Sequence, residues 1–332
     1  MQVDVRIVDP EQFGAALHYF TGSKEHNIEI RARAKKMGLR VNEYGVKRLE
    51  TDEMVETPTE AELFAMLGLA WVPPEMREGR GEVALAERDA LPDLVDEASL
   101  RGDFHMHTTE SDGRNSIEEM AEAAKARGYD FIVITDHSEV VSVANGMDAA
   151  RFRAHIDRIR AADEAMDGIR ILPGIEVDIL RDGALDMDLG LLAACDWVIG
   201  SVHTAMSMPT DEMTTRLLRA VESGLIHELG HPTGRRLGGR RGYDYDFDRV
   251  IGAAVEAGIV IEMNGGTGRL DLNAEMARRA RALGATIVLG SDAHSVNGLA
   301  NISFAVGQAR RAWIEKSAVL NTRDFDQIFR RR

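Results

Sequence analysis

At 332 residues, 44% of them hydrophobic, the chain has room for a small and a large globular domain and for a sizeable core. A formal net charge of −15 excludes a surface that is basic throughout, and no run approaches the ~18 apolar residues of a membrane span. With one cysteine, Cys195, no disulfide can form within the chain, which fits a reducing cytoplasm and leaves too little thiolate for a zinc finger or an iron–sulfur cluster.

The first residues, Met1 to Arg6, have neither the basic region nor the apolar core of an export signal, so the expectation is a soluble, cytoplasmic protein. Charge then becomes uneven. Between Arg31 and Arg48 stand seven basic residues (Arg31, Arg33, Lys35, Lys36, Arg40, Lys47, Arg48) against one acidic residue, Glu43. Such a run reads either as a solvated helix face or as a hold for an anionic partner. From 51 to 100 the balance reverses.

From about residue 100, short apolar runs of β type recur around Phe104, at 131–134, 169–172, 197–199, 225–229, 259–263 and 286–289. Helical patterns separate most of them at roughly the ~30-residue spacing of a strand–helix–strand unit, which predicts a parallel sheet; the number of repeats favours closure into a barrel. The first crossover is the clearest. Ser116 and Glu119 form a capping box, Met120, Ala123 and Ala124 follow as an apolar stripe, and Gly128 is placed to end the helix before Phe131. Cys195 falls in the apolar stretch leading to Trp197 and reads as a buried thiol.

Six of the ten histidines sit in short polar motifs where these apolar runs end. The motifs are Asp103-Phe104-His105-Met106-His107 with Asp112, Thr135-Asp136-His137, Ser201-Val202-His203, Gly230-His231-Pro232 and Ser291-Asp292-Ala293-His294; Gly174-Ile175-Glu176 adds a carboxylate. In parallel barrels the C-terminal ends of the strands are where chemistry is built, and this series gathers there His105, His107, His137, Glu176, His203, His231, Asp292 and His294. Imidazoles mixed with carboxylates suit zinc, manganese or iron. His18, His26, His155 and His227 lie away from strand ends and are assigned no part in the cluster. Arginines are the natural clamps for a phosphate, and Arg235, Arg236, Arg240 and Arg241 follow His231 closely, with Arg269 as a further candidate.

This set of motifs resembles the PHP (polymerase and histidinol phosphatase) superfamily, over residues 100 to about 310. The resemblance implies an α/β fold, a distorted (β/α)7 barrel with up to three divalent ions (Zn, Mn or Fe) in its mouth. It matches nine ligand positions: His105, His107, Asp112, His137, Glu176, His203, His231, Asp292 and His294. By similarity His105, His107, Glu176 and Asp292 would hold one ion. Glu176 would bridge to a second held by His203 and His231, and Asp112, His137 and His294 would hold a third. Glu176, His203 and Asp292 would then be the catalytic core of a metal-dependent phosphoesterase. Aminohydrolase barrels usually carry a lysine at the bridge, where this chain has Glu176.

The stretch Tyr19-Phe20-Thr21-Gly22-Ser23, with Asn42-Glu43-Tyr44-Gly45 and Leu69-Ala70-Trp71-Val72-Pro73, resembles the nucleotide-pocket and thumb regions of bacterial family X DNA polymerases, in which a PHP domain follows. The expected organisation is therefore a small α+β palm-end and thumb-like segment over residues 1–95, then the PHP barrel over 96–332. Asp4 in Val3-Asp4-Val5 matches the third palm carboxylate, on a strand. The other two would lie before Met1, so this chain by itself is not expected to polymerise. What the resemblance implies is a manganese-dependent 3′–5′ exonuclease acting on DNA 3′ ends, with Lys24, Arg31, Lys35 and Lys36 holding DNA and a polymerase subunit as a further partner. A phosphatase for a small phosphate monoester, of the histidinol-phosphate type, is the alternative. A non-catalytic scaffold is the second alternative, and the complete ligand set speaks against it. In that family the segment after the sixth strand often reads Asn-x-Asn; here it is Asn264-Gly265-Gly266.

Overall fold

The chain divides after Asp93 into two compact units, one ending there and one beginning at Leu94. The computed structural model describes residues 2–329; Met1, where the N-terminal reading begins, and Arg330 to Arg332 lie outside the described residues.

The first unit is α+β. Helices α1 (Phe13–Thr21) and α2 (Lys24–Lys36) precede a sheet of β1 (Leu39–Asn42), β2 (Gly45–Arg48) and β3 (Met54–Val55), then α3 (Glu60–Met66) and α4 (Glu82–Glu87). All its strand pairs are antiparallel. Ser23 caps α2 by accepting from the His26 amide, and Thr59 with Glu62 forms a capping box on α3, so each helix start is written locally. Ala15, Ile30, Ala34, Val46, Leu63, Phe64 and Leu67 fill the core. Val3-Asp4-Val5 does not form the expected strand: residues 2–9 have no regular structure, and Val3, Val5 and Ile7 are 67%, 82% and 94% exposed. A strand needs a neighbour to receive its amides, and no described strand pairs with this segment.

The second unit carries seven parallel strands: β4 (Gly102–Asp103), β5 (Phe131–Ile134), β6 (Arg170–Asp178), β7 (Trp197–Ser201), β8 (Glu228–Leu229), β9 (Val260–Asn264) and β10 (Ile287–Gly290). They pair in sequence order from β4 to β10. The crossovers include α5 (Ile117–Ala126), α6 (Ala149–Ala165), α7 (Leu189–Leu192), α8 (Thr210–Glu222), α9 (Phe247–Glu256) and α10 (Ala274–Ala282); α11 (Ile302–Arg311) and α12 (Phe325–Phe329) follow β10. The Ser116–Glu119 capping box on α5 is present, and Gly128 ends the helix with φ of 85°.

Side chains alternate across each strand, and the two sides fill two different cores. Ile132, Ile134, Ile171, Val198, Ile261, Met263, Ile287 and Leu289 join the apolar layer shared with the helices. Phe131, Val133, Leu172, Trp197, Ile199, Val260 and Val288 instead pack with Phe104, Leu320 and Ile328 in a second cluster, inside the barrel. Farther along the same inward-facing rows come polar residues: Glu228 on β8, Glu262 and Asn264 on β9, Glu176 and Asp178 on β6. The barrel is therefore plugged with hydrocarbon at one end and polar at the other.

β4 and β10 do not share a ladder, and the seam between them is bridged by other groups. Met106 and Ala293 form a parallel bridge, with His107 N donating to Ala293 O at 2.8 Å. Asn321, fully buried, accepts from Leu289 N and donates to the carbonyls of Leu289 and Gly102. The barrel is thus distorted, as expected. Two strands differ from the sequence reading: β6 runs on through Glu176 to Asp178, and β8 shrinks to two residues, leaving His227 just ahead of it. His227 Nδ1 accepts from Val198 N at 2.8 Å and its ring stacks on Trp197. Cys195 is buried, and burial pushes its thiol up to about 12.

Candidate metal centre

The polar end of the barrel collects every residue of the nine-member set. His105 and His107 follow β4, His137 follows β5, His203 follows β7, His231 follows β8, and Asp292 and His294 follow β10; Glu176 stands within β6. Glu176 lies at the middle. Its Oε1 is 2.7 Å from His231 Nε2 and 3.4 Å from His203 Nε2, and its Oε2 is 2.9 Å from His137 Nδ1 and 3.5 Å from His105 Nε2. Asp292 Oδ1 lies 3.3 Å from His107 Nε2 and 3.7 Å from His105 Nε2. Asp112 lies 3.3 Å from His294 Nε2, 3.7 Å from His137 Nε2 and 3.9 Å from His107 Nδ1.

Four potential ligand groups share residues here: His105, His107 and Asp292; His137, Glu176 and His203; His107, Asp112, His137 and His294; and, behind them, His105, Glu228 and Glu262. They differ from the expected pairing in that His107 and His137 each face two groups, one through each ring nitrogen. Buried nitrogens without hydrogen-bond partners include His105 Nε2, both ring nitrogens of His107 and of His203, Nδ1 of His137 and Nδ1 of His231. An unmet buried donor or acceptor costs about 1–3 kcal/mol, so so many in one place need a resolving partner. A divalent cation would supply such a partner: nitrogen and carboxylate oxygen together fit zinc, manganese or iron, and the residues present fit the ions that the PHP resemblance implies.

The electrostatics agree with a site shaped for positive charge. Burial opposes ionisation of Glu176, yet His203, His105 and His137 outweigh it and hold the carboxyl well below its ordinary range. Asp292 is likewise held well down by His105 and His107 against the effect of burial. Burial lowers His107 to about 4, with His137 adding to it, and lowers His231 to about 3, aided by Arg269. His105, His137 and His294 are instead shifted upward, against burial, by the carboxylates of Glu262, Glu176 and Asp112 beside them, so a cation binding there would displace protons from them.

Behind the cluster stand buried carboxylates to which the sequence reading assigned no role. Asp136 accepts from the Thr108 amide and hydroxyl at 2.7 Å each and faces His155 Nε2 at 2.9 Å, fixing the loop after His107. Asp178 accepts from the His203 amide at 2.6 Å and the Thr204 hydroxyl at 2.7 Å. Glu262 lies 2.8 Å from His105 Nδ1. Glu228 accepts from Trp197 Nε1 at 2.6 Å; burial, with the charge of Glu262 adding, holds its carboxyl well above the ordinary range and so neutral. The available signal was a lone acidic residue inside an apolar run, Glu228 in Ile226–Leu229 and Glu262 in Ile259–Met263.

A cleft of about 650 Å3 opens over the cluster, lined by Asp112, His137, His203, Asp292 and His294 with Val140–Ala144, Arg236, Arg240 and Arg269. Arg269 is largely buried; its Nε is 3.4 Å from Asp292 Oδ2, and its Nη1 has no hydrogen-bond partner. Arg235, by contrast, donates from Nε and Nη2 to the carbonyls of Arg269 and Leu270. Arg240 donates to Gly234 O at 2.9 Å. In the first unit Lys24, Arg31, Lys35 and Lys36 are exposed on α2, while His26, Asn27, Ile30 and Ala34 bury its opposite face.

A seven-stranded parallel barrel with histidines and carboxylates gathered at the strand ends defines a metallo-phosphoesterase barrel of the PHP class, and the chain belongs to the PHP family. The PHP domain profile matches residues 103–264. More particularly, the DNA polymerase beta thumb profile matches residues 16–78, and thumb followed by PHP domain is the order of the C-terminal region of bacterial family X polymerases. The chain is 42% identical over 326 residues to the DNA polymerase/3′-5′ exonuclease PolX of Bacillus subtilis (strain 168), covering 98% of this chain and 57% of that protein. A probable phosphatase of Thermoanaerobacter sp. (strain X514) is 30% identical over 231 residues, 66% of this chain and 89% of that one. Among solved structures, a histidinol phosphate phosphatase of Lactococcus lactis complexed with zinc, L-histidinol and phosphate is 17% identical, with a TM-score of 0.45, over 65% of this chain and 94% of that one. No helix among the described residues is long and apolar enough to cross a membrane.

Proposed function

We propose that the barrel is a metal-dependent 3′–5′ exonuclease that removes nucleotides from DNA 3′ ends, with His105, His107, Asp112, His137, Glu176, His203, His231, Asp292 and His294 as ligands for up to three divalent ions. The observation that carries the reading is the convergence of these nine residues around Glu176 with buried imidazole nitrogens left unpaired. The 42% identity to a protein named as a polymerase and 3′-5′ exonuclease supports DNA as the substrate. Residues 1–95 then serve as the palm end and thumb that hold DNA through Lys24, Arg31, Lys35 and Lys36, and residues 96–332 hydrolyse it.

Divalent ions held by these residues would lower the pKa of a bound water to about 7 and would neutralise charge growing on the phosphoryl oxygens. The protein's own part is orientation. Glu176 keeps five imidazoles within reach of its two oxygens. Asp178 and Asp136 fix the loops that carry His203 and His107. Arg269 lines the cleft beside Asp292 and its buried Nη1 has no hydrogen-bond partner, so a planar, permanently charged guanidinium is held next to where a phosphate would sit.

The test is product analysis on a 3′-recessed duplex and on single-stranded DNA in added Mn2+, comparing the wild type with Glu176→Ala. Stepwise loss of 3′ nucleotides that disappears in the variant is expected. Loss that persists in the variant, or none from metal-loaded wild type, refutes the reading. A second reading, hydrolysis of a small phosphate monoester, is favoured by the phosphatase-named relative, which aligns over most of its own length. Turnover of histidinol phosphate with no action on DNA would establish it.

A further inference from the structure

Three of the candidate ligands depend on one strand that supplies none. β9 runs between β8, which leads to His231, and β10, which leads to Asp292, and its inward residues beyond Val260 are Glu262 and Asn264. Glu262 is fully buried. Its Oε1 is 2.8 Å from His105 Nδ1 and accepts from Asn264 Nδ2 at 3.1 Å, while its Oε2 accepts from the His231 backbone amide. Asn264 Nδ2 also lies 3.1 Å from Asp292 Oδ2. His231 and Asp292 both have left-handed backbone, with φ of 25° and 51°, a conformation that a non-glycine residue keeps only when its surroundings enforce it. Glu262 and Asn264 provide that enforcement from the strand between them.

We infer that Glu262, assisted by Asn264, is a positioning residue that fixes the tautomer of His105 and the backbone of His231 and so sets the geometry of the ion shared through Glu176; this rests on the metal-dependent reading above. A carboxylate acceptor on Nδ1 keeps the proton there. The Nε2 lone pair is then free, and Nε2 is the atom that is buried without a hydrogen-bond partner, 3.5 Å from Glu176 and 3.7 Å from Asp292. Carboxylate support of a ligating histidine is a general device, and losing it lowers metal affinity about 10–100-fold. Space is reserved for the contact: a Cβ at Gly290 would lie 2.3 Å from Glu262 Oε1 and 2.9 Å from His105 Cβ.

The isosteric change Glu262→Gln separates this from simple packing. Its amide can donate to His105 Nδ1, which moves the ring proton to Nε2 and blocks that nitrogen. Titration of the metal-stripped full chain with Mn2+ alone and with Zn2+ alone should show the variant binding about 10–100-fold more weakly. Its kcat on a 3′-recessed duplex should recover towards the wild-type value at saturating Mn2+, which a misfolded barrel would not allow. Equal affinities in variant and wild type overturn the inference and leave the metal-dependent reading standing, whereas a wild type that takes up neither ion overturns both. Should the variant fail to fold, the ring 15N spectrum of the zinc-loaded wild type decides. A proton on His105 Nδ1 with Nε2 bound to zinc is the expected state, and Nδ1 without a proton overturns the inference.

Discussion

Arg269 and Arg235 are near neighbours in the barrel mouth, but their guanidinium groups are committed differently. Arg235 is spent on the carbonyls of Arg269 and Leu270, whereas Arg269 lines the cleft and its buried Nη1 has no hydrogen-bond partner. Arg269→Ala should therefore lower kcat/KM for a phosphate ester by about 10–100-fold, the equivalent of one hydrogen bond to a charged group at about 1.5–3 kcal/mol. Arg235→Ala should lower the thermal midpoint with little effect on kcat/KM; steady-state kinetics and melting of both variants check the pair. Glu82 offers a pH-dependent case. Burial disfavours its charge, but the hydrogen bond from His26, at 2.7 Å, and those from the Gly79 and Arg80 amides outweigh it, and the carboxyl is held below its ordinary value. A lowered carboxyl stabilises the fold above its unfolded pKa and loses that contribution as pH falls through the folded value. Glu82→Gln should thus cost about 1–3 kcal/mol near pH 7 and progressively less below pH ~4, read from urea titrations at several pH values. The residues directly around Glu176 were legible in the sequence because histidines at the ends of apolar runs stand out. Glu262 and Asp178 were not, because only the inward alternation of β9 and β6 reveals what they touch.

Among the elements, the strands were legible wherever an uninterrupted apolar run spans both cores, as in Phe131–Ile134 and Ile287–Gly290. The start of α5 was equally plain, since a capping box is a local signal. The joining of β4 to β10 was not readable, because it depends on Asn321, far along the chain from Gly102. Its amide meets the Leu289 amide and the carbonyls of Leu289 and Gly102, standing in for the ladder that the two strands lack. Asn321→Ala would leave those backbone groups unmet in a buried seam, at about 1–3 kcal/mol for each group that water cannot reach. The expected result is a barrel that melts at a lower temperature and whose amides at Gly102 and Leu289 exchange hydrogen faster than those of β6. Unchanged exchange at Leu289 would show that the seam does not depend on this side chain. The same seam carries His105 and Asp292 just beyond it, so metal affinity should fall with it.

For the whole molecule, acidity overall and local basicity are compatible because α2 carries more basic than acidic residues, Glu25 and Glu29 being its two acidic ones. The chain carries −15 in total, yet Lys24, Arg31, Lys35 and Lys36 stand exposed on one helix, and Arg31 and Lys35 are one turn apart. If this helix holds DNA while the barrel hydrolyses, the two units contribute separable quantities: affinity for the polymer from the first, turnover of the phosphate ester from the second. Replacing these four residues together by Glu should weaken DNA binding and 3′-nucleotide release but leave hydrolysis of p-nitrophenyl phosphate in Mn2+ unchanged. Salt supplies the quantitative check, since each phosphate contact contributes a slope of about −0.9 in log K against log salt on duplex and about −0.7 on single strands. The variant's slope should be shallower by roughly those amounts for each contact removed. A variant with unaltered slope would move the DNA-holding surface off α2. A variant that lost p-nitrophenyl phosphate turnover as well would show that the first unit acts on the metal centre itself, and the two contributions would no longer be separable.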